Sequence, residues 1–290
     1  MTAPPQVGPG PDRGADPALN ALRTRSEDRA PTRGDRRGAH VAILRAELLK
    51  WKRSWVVWAA LLAAGVAPAF NALLVWGARR VAGMAGDDVS IPWEGFFAQV
   101  GLFANLLVYP LLFGFVVTYA VAREYQEGAA TNLFALPASR TGILLAKLGA
   151  AALILAVAVV AAVPLAVIAG LPVLGYLPSW DAVAAGLGLH LVSGLAQFLL
   201  VPVVLWLAVL GRNYVLPLAA AGFFVVANIF TAFAGDEALW IPTAIPAWTA
   251  QARYLPEIAA HLPAWWVQLP PLFLGFLALA ALTVTRRDVV

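Results

Sequence analysis

The 290-residue chain is 61% hydrophobic and 12% charged, with a mean hydropathy of +0.77, whereas soluble domains run at about 45–50% apolar and about 25% charged. Lipid is therefore the solvent for most of it. The formal net charge is +4, but 11 of the 20 Lys and Arg residues precede Ser54, so the basic balance belongs to a tail and to membrane-flanking cations and excludes a nucleic-acid surface. With no cysteine in the chain, disulfide frameworks, thiolate metal sites, Fe–S clusters and cysteine nucleophiles are excluded.

Residues 1–38 are rich in Pro, Gly, Ala, Arg and Asp and show no apolar period, which predicts a disordered cytoplasmic tail. No apolar segment of the about 7–15 residues that a cleaved signal peptide needs precedes residue 40, so the first span is expected to be an anchor. Over residues 39–53 a helix places Val41, Leu44, Leu48 and Trp51 on one narrow stripe, with Glu47, Lys50 and Arg53 off it. Such a helix suits the cytoplasmic interface, with Arg45 and Lys52 snorkelling outward; the plainer reading is a solvated extension of the first span.

Crossing the hydrocarbon takes about 20 apolar residues as a helix, and six such stretches are predicted, at about 54–76, 96–122, 142–171, 182–210, 214–234 and 264–285. They make an all-α, six-helix transmembrane domain over 54–290. Their unbroken apolarity excludes a β-barrel, whose spans alternate over about 10 residues. Close to the spans on the side of the termini lie Arg45, Lys50, Lys52, Arg53, Arg123, Arg140, Lys147, Arg212, Arg286 and Arg287, against Arg79, Arg80 and Arg253 opposite. The excess of cations puts both termini in the cytoplasm. Trp51, Trp55, Trp76, Trp180, Trp265 and Trp266 fall at the expected headgroup levels, and Pro68, Pro110, Pro164, Pro202 and Pro217 are expected to kink their helices.

The connection from Arg123 to Lys147 is the longest on the cytoplasmic side. Glu124 and Glu127 share a helix face, Gly128 ends that helix, a short apolar helix over 129–136 is stopped by Pro137, and Ser139 caps the next span. Leu133, Phe134 and Leu136 either insert into a groove on a partner or pack against their own bundle. The outer loop over 235–263, with its prolines and Trp240 and Trp248, is expected to form short interfacial or re-entrant helices that gate an exit or cap the bundle.

Chemistry is sparse. No Gly-Lys pair occurs, so the chain has no P-loop. His190 stands in a span with no acidic residue beside it and is read as a packed or hydrogen-bonded helix residue. Asn71, Asn105, Gln197 and Asn228 are neutral and suit hydrogen bonds between helices or contact with a substrate, not ion coupling. No cofactor, metal or catalytic constellation is expected in this chain.

Two motif runs carry a family resemblance. Ala46-Glu47-Leu48-Leu49-Lys50-Trp51-Lys52-Arg53 resembles the acidic-then-basic run that opens the permeases of bacitracin and lantibiotic immunity transporters. Arg123-Glu124-Tyr125-Gln126-Glu127-Gly128, followed by Leu136-Pro137-Ala138-Ser139-Arg140 and Lys147, is similar to the E-x-x-x-G, L-x-x-P-x-S-R, K arrangement of the same ABC-2 group.

The resemblance implies an ABC-2 (type V) exporter-like fold in the inner membrane, and a permease that dimerises with itself or a similar chain. It implies two separate ATPase subunits that bind the ATP and Mg, and surrounding membrane lipid. Residues 39–53 become the elbow helix, with Glu47, Lys50, Trp51 and Arg53, and residues 123–140 the coupling region, with Glu124, Glu127, Gly128, Leu133, Phe134, Leu136, Pro137 and Arg140. The implied activity is export of a hydrophobic or amphipathic compound, such as a peptide antibiotic, natural product or lipid, in resistance or immunity. A membrane component of an ATPase-linked assembly or sensing complex is the alternative. Because the chain lacks cysteine, single cysteines report topology: one at position 236 should react with an impermeant maleimide on intact cells and one at 127 should not, and the reverse labelling overturns the orientation.

Overall fold

Proline and glycine positions set the lengths of the helices. The computed structural model describes residues 33–52, 54–85, 90–128, 139–233 and 240–286. Among them there is no strand. The expected tail up to 32, Arg53, and the short helix over 129–136 with Leu133, Phe134, Leu136 and Pro137 lie outside the described residues.

Helix α1 (Arg33–Lys52) starts before the boundary expected at 39. The first apolar segment is two helices, α2 (Trp55–Ala64) and α3 (Val66–Ala85), parted at Gly65. Pro68 explains the break, because it has no N–H for the carbonyl of Ala64 and its ring crowds that carbonyl. Ser54 caps α2, its Oγ accepting from the Val56 N–H at 3.3 Å.

The second segment runs from α4 (Trp93–Phe103) through a five-residue π-helical turn (Ala104–Val108) into α5 (Tyr109–Gln126). Pro110 cannot donate to Leu106, and the widened turn just before it accommodates that loss. α5 ends where expected, with Gly128 at φ 68, a conformation that favours glycine.

Ser139 caps α6 (Arg140–Leu174), its Oγ accepting from the Gly142 N–H at 3.0 Å. Pro164 and Pro172 lie inside α6, which runs through both without interruption. At 35 residues α6 is about 52 Å long and outreaches the about 30 Å hydrocarbon layer.

Pro202 does divide the next segment, into α7 (Trp180–Leu199) and α8 (Val201–Gly211). Pro217 sits in the first turn of α9 (Val215–Phe233), where no N–H is required, so no kink follows there. After a 3₁₀ turn (Pro242–Ala244) come α10 (Ile245–Gln251), α11 (Pro256–Trp266) and α12 (Leu269–Arg286).

Among the described residues, five helical segments are long and apolar enough to cross a membrane: Trp55–Ala85, Trp93–Gln126, Arg140–Leu174, Trp180–Gly211 and Pro256–Arg286. Val215–Thr231, the counterpart of the fifth stretch read from sequence, is apolar but shorter.

α6 is the spine, packed against α1, α2, α3, α4, α5, α7 and α12. Small buried residues at four-residue spacing, Ala150, Ala158, Ala162 and Ala166, with Ile154 among them, let neighbours approach closely. α10 is not a surface cap. Ala244, Ile245, Ala247 and Ala250 are fully buried, and the Gln251 side chain donates to the Ala98 carbonyl at 3.1 Å, wedging α10 between α4 and α7.

Trp55, Trp76 and Trp180 are exposed on the outside of the bundle, as interfacial residues should be, whereas Trp51 and Trp265 are core anchors. The amides bridge helices: Asn71 donates to the Phe96 carbonyl at 3.3 Å and Asn228 to the Asn105 carbonyl at 3.2 Å.

At the α5–α9 crossing, a Cβ added to Gly114 would stand 2.5 Å from Cβ of Ala221. Gly114→Ala should therefore lower stability by about 1–3 kcal/mol through overpacking. Adding Ala221→Gly should restore the thermal midpoint in detergent, because the crossing then has room for one Cβ.

Candidate functional site

Lys147 lies two turns into α6, on a face covered by neighbouring helices, and its side chain is only 5% exposed. A charge so placed requires opposite charges within contact. α1 and α5 each supply one.

The Lys147 ammonium contacts Glu124 Oε1 at 2.6 Å and Glu47 Oε1 at 3.4 Å. Lys50 closes the ring, contacting Glu47 Oε1 at 2.9 Å and Glu124 Oε1 at 3.2 Å. Each lysine thus meets both carboxylates, and three helices are tied at one point.

Burial works to lower the pKa of Lys50, but its hydrogen bond to Glu47 and the charges of Glu47 and Glu124 outweigh it, so the pKa is raised. A raised lysine pKa contributes stability that is complete below the ordinary lysine value and fades as pH climbs through the raised one. The Lys50 contribution is therefore at full strength at neutral pH.

Around the ring, helix register decides which side chains join. Glu47 follows Leu44 by three residues and precedes Trp51 by four, so the face of α1 that docks on α6 carries it inward. The sequence reading set Glu47 off the apolar stripe; the structure buries it. Trp51 is buried edge-on against Tyr119 with ring centroids 5.5 Å apart.

On α5, Arg123 donates from Nε to Glu127 Oε1 at 2.8 Å and from Nη1 to the Tyr119 hydroxyl at 2.8 Å. Glu127, expected beside Glu124, is thus at the exposed rim and outside the ring. The end of α5 is also held to the α8–α9 turn, where Gln126 donates to the Arg212 carbonyl at 3.4 Å.

Arg140 stands apart from the ring and donates to the Val284 carbonyl at 3.3 Å, fastening the start of α6 to the end of α12. Gly128 closes α5 and places the chain at the start of the connection over 129–138.

Two further contributors were not singled out from sequence as site residues. Lys147 was visible as part of a motif, and its position inside an apolar run is the signal that it needs partners. Tyr119 gave no signal, because its role depends on Trp51 and Arg123 meeting it from different directions.

Between α1, the start of α2 and the end of α5 opens a cleft of about 490 Å³, floored by Glu47, Glu124 and Lys147 and walled by Trp55, Tyr119 and Arg123. His190, at the other half of the bundle, is fully buried with Nδ1 3.5 Å from the Tyr109 hydroxyl. No group of three or more potential metal ligands occurs among the described residues.

A family model described as "ABC-2 family transporter protein" matches residues 43–228. The match covers well over half of the chain and contains the whole ring. A search of curated proteins finds no match.

Removing one member of the ring leaves charges buried without partners, which costs about 3–5 kcal/mol in such settings. Lys147→Met should accordingly lower the thermal midpoint sharply. Adding Glu124→Gln should recover part of the loss, since fewer uncompensated charges remain; a double variant with the summed loss of both singles would show that the two groups do not interact.

Proposed function

The chain belongs to the ABC-2 transporter family and is a membrane permease of an ABC transporter, and on that premise we propose that it exports a hydrophobic or amphipathic compound by ATP-driven changes of access. Permeases of this family have no nucleotide-binding site of their own and associate with an ABC ATPase subunit. The reading adds six crossings, with Val215–Phe233 as the fifth, cytoplasmic termini in the inner membrane, and a pair of permease chains served by two ATPase subunits that hold ATP and Mg. It places the chain nearest to the bacitracin and lantibiotic immunity permeases, with α1 as the elbow and 123–140 as the coupling region.

The observation that supports it is the charge ring. Glu47 and Lys50 on α1, Glu124 at the end of α5 and Lys147 at the start of α6 join the helices on both sides of the 129–138 connection. A push delivered by an ATPase to that connection would reach α1, α5 and α6 together, because the ring holds their ends as one piece. Ion pairs of this kind have discrete made and broken states, which suits a coupling element. An apolar hollow of about 250 Å³ between α5, α6 and α7, lined by Phe113, Leu155, Val159, Leu191, Leu195 and Phe198, supports an apolar cargo.

The test is to purify the protein from its native membrane, identify co-purifying chains by mass spectrometry and assay ATP hydrolysis and transport. A Walker-motif partner in stoichiometric amount with activity supports the reading. Glu124→Gln, close in volume but uncharged, should retain the partner and ATP hydrolysis while transport per ATP falls about tenfold or more, a loss of about 1.4 kcal/mol of coupling. Wild-type coupling in that variant would sink the proposed role of the ring.

A further inference from the structure

We propose that the cleft beside the ring is a binding site for the headgroup of a zwitterionic phospholipid with a primary ammonium, of the phosphatidylethanolamine type. Its location is the first reason. The cleft lies where α2 begins and α5 ends, the ends of two apolar segments, which is headgroup depth for a bilayer around them. Trp55, which lines the cleft, is 63% exposed, as expected of a side chain bordering the polar edge of a membrane.

Size and donors come next. The cleft of about 490 Å³ is far larger than a single water or ion needs and has room for a phosphate with a short amine arm. Lys50 has three N–H donors and Arg123 five; the ring and its rim occupy two of each. Both cations are partly exposed, 51% and 40% at the side chain, and face one cleft. A phosphate between them would receive charge-assisted hydrogen bonds from both sides.

The sign of the lining selects the headgroup. Lys50, Arg123 and Lys147 are matched by Glu47, Glu124 and Glu127, so the lining is neutral and offers an anionic lipid no net attraction. A headgroup carrying both signs fits it: phosphate toward Lys50 and Arg123, ammonium toward the exposed Glu127 carboxylate and the face of Trp55, the Tyr119 ring being already covered by the Arg123 guanidinium. A quaternary ammonium lacks the N–H that would meet Glu127. The proposal stands independently of the coupling role, because its readout is lipid and not ATP.

The experiment reconstitutes the full chain in an equimolar mixture of phosphatidylethanolamine, phosphatidylcholine and phosphatidylglycerol, then measures retained lipid by native mass spectrometry. Phosphatidylethanolamine should be retained preferentially. Arg123→Gln combined with Trp55→Ala should lower that retention about tenfold, the equivalent of about 1.4 kcal/mol, with an unchanged gel-filtration profile confirming the fold. Arg123→Lys should keep most of it, and Arg253→Gln, remote from the cleft, all of it. Preference for phosphatidylglycerol, undiminished retention in the double variant, equal loss in Arg253→Gln, or equally tight binding of free glycerophosphoethanolamine would each overturn the proposal.

Discussion

An ammonium group folded among apolar helices costs several kcal/mol unless carboxylates meet it within contact distance, and Lys147 imposes that cost on the surrounding bundle. Meeting it requires α1 to lie against α6 with Glu47 inward and α5 to end with Glu124 beside it. Lys50 then completes the charge balance from the solvent side. A buried ion network contributes less to net stability than an apolar replacement of equal shape, but it specifies which partners must meet and in what register. Here it specifies the junction of α1 with the two helices that flank the 129–138 connection in the chain.

Elsewhere the bundle is held by close approach. Lipid provides no hydrophobic drive for helices to associate once they are inserted, so packing depends on small residues and on hydrogen bonds between helices. Gly170 receives the Trp93 ring and Gly186 the Phe97 ring, where a Cβ would stand 2.7 Å from ring carbons in each case. Trp93 in turn donates from Nε1 to the Tyr176 carbonyl at 3.0 Å, securing the α6–α7 turn. Trp206 meets Phe276 where α8 lies along α12, with ring centroids 5.6 Å apart.

Prolines divide several of these long apolar segments into shorter pieces. The break at Gly65, the π-helical turn at Ala104–Val108 and the turn at Leu200 each precede a proline by a few residues. α5 thereby runs as its own helix from Tyr109 to the ring, and α4 as another that packs on the buried α10. Glu124 is tied directly to α5 and α6, while the α4–α7–α10 half is joined to them through the π-helical turn and α6.

The sequence by itself determined the class and most of the crossings. A long uncharged apolar run has no stable alternative to a membrane helix, because lipid leaves backbone polar groups no other partners. The cap at Ser139 and the end of α5 at Gly128 were equally legible, since each depends on a few neighbouring residues. The effect of each proline on helix continuity was legible only in part: Pro68, Pro110 and Pro202 interrupt or widen their helices, whereas α6 runs on through Pro164 and Pro217 lies in a first turn. The motif residues Glu47, Lys50, Glu124 and Lys147 could be named from sequence, but their meeting could not. Which face of α1 turns toward α6, and that Glu47 rides on it, depends on contacts between positions 100 residues apart. Only the tertiary structure decides whether a charge beside an apolar stripe is solvated or buried, because that depends on what the opposite helix brings to meet it.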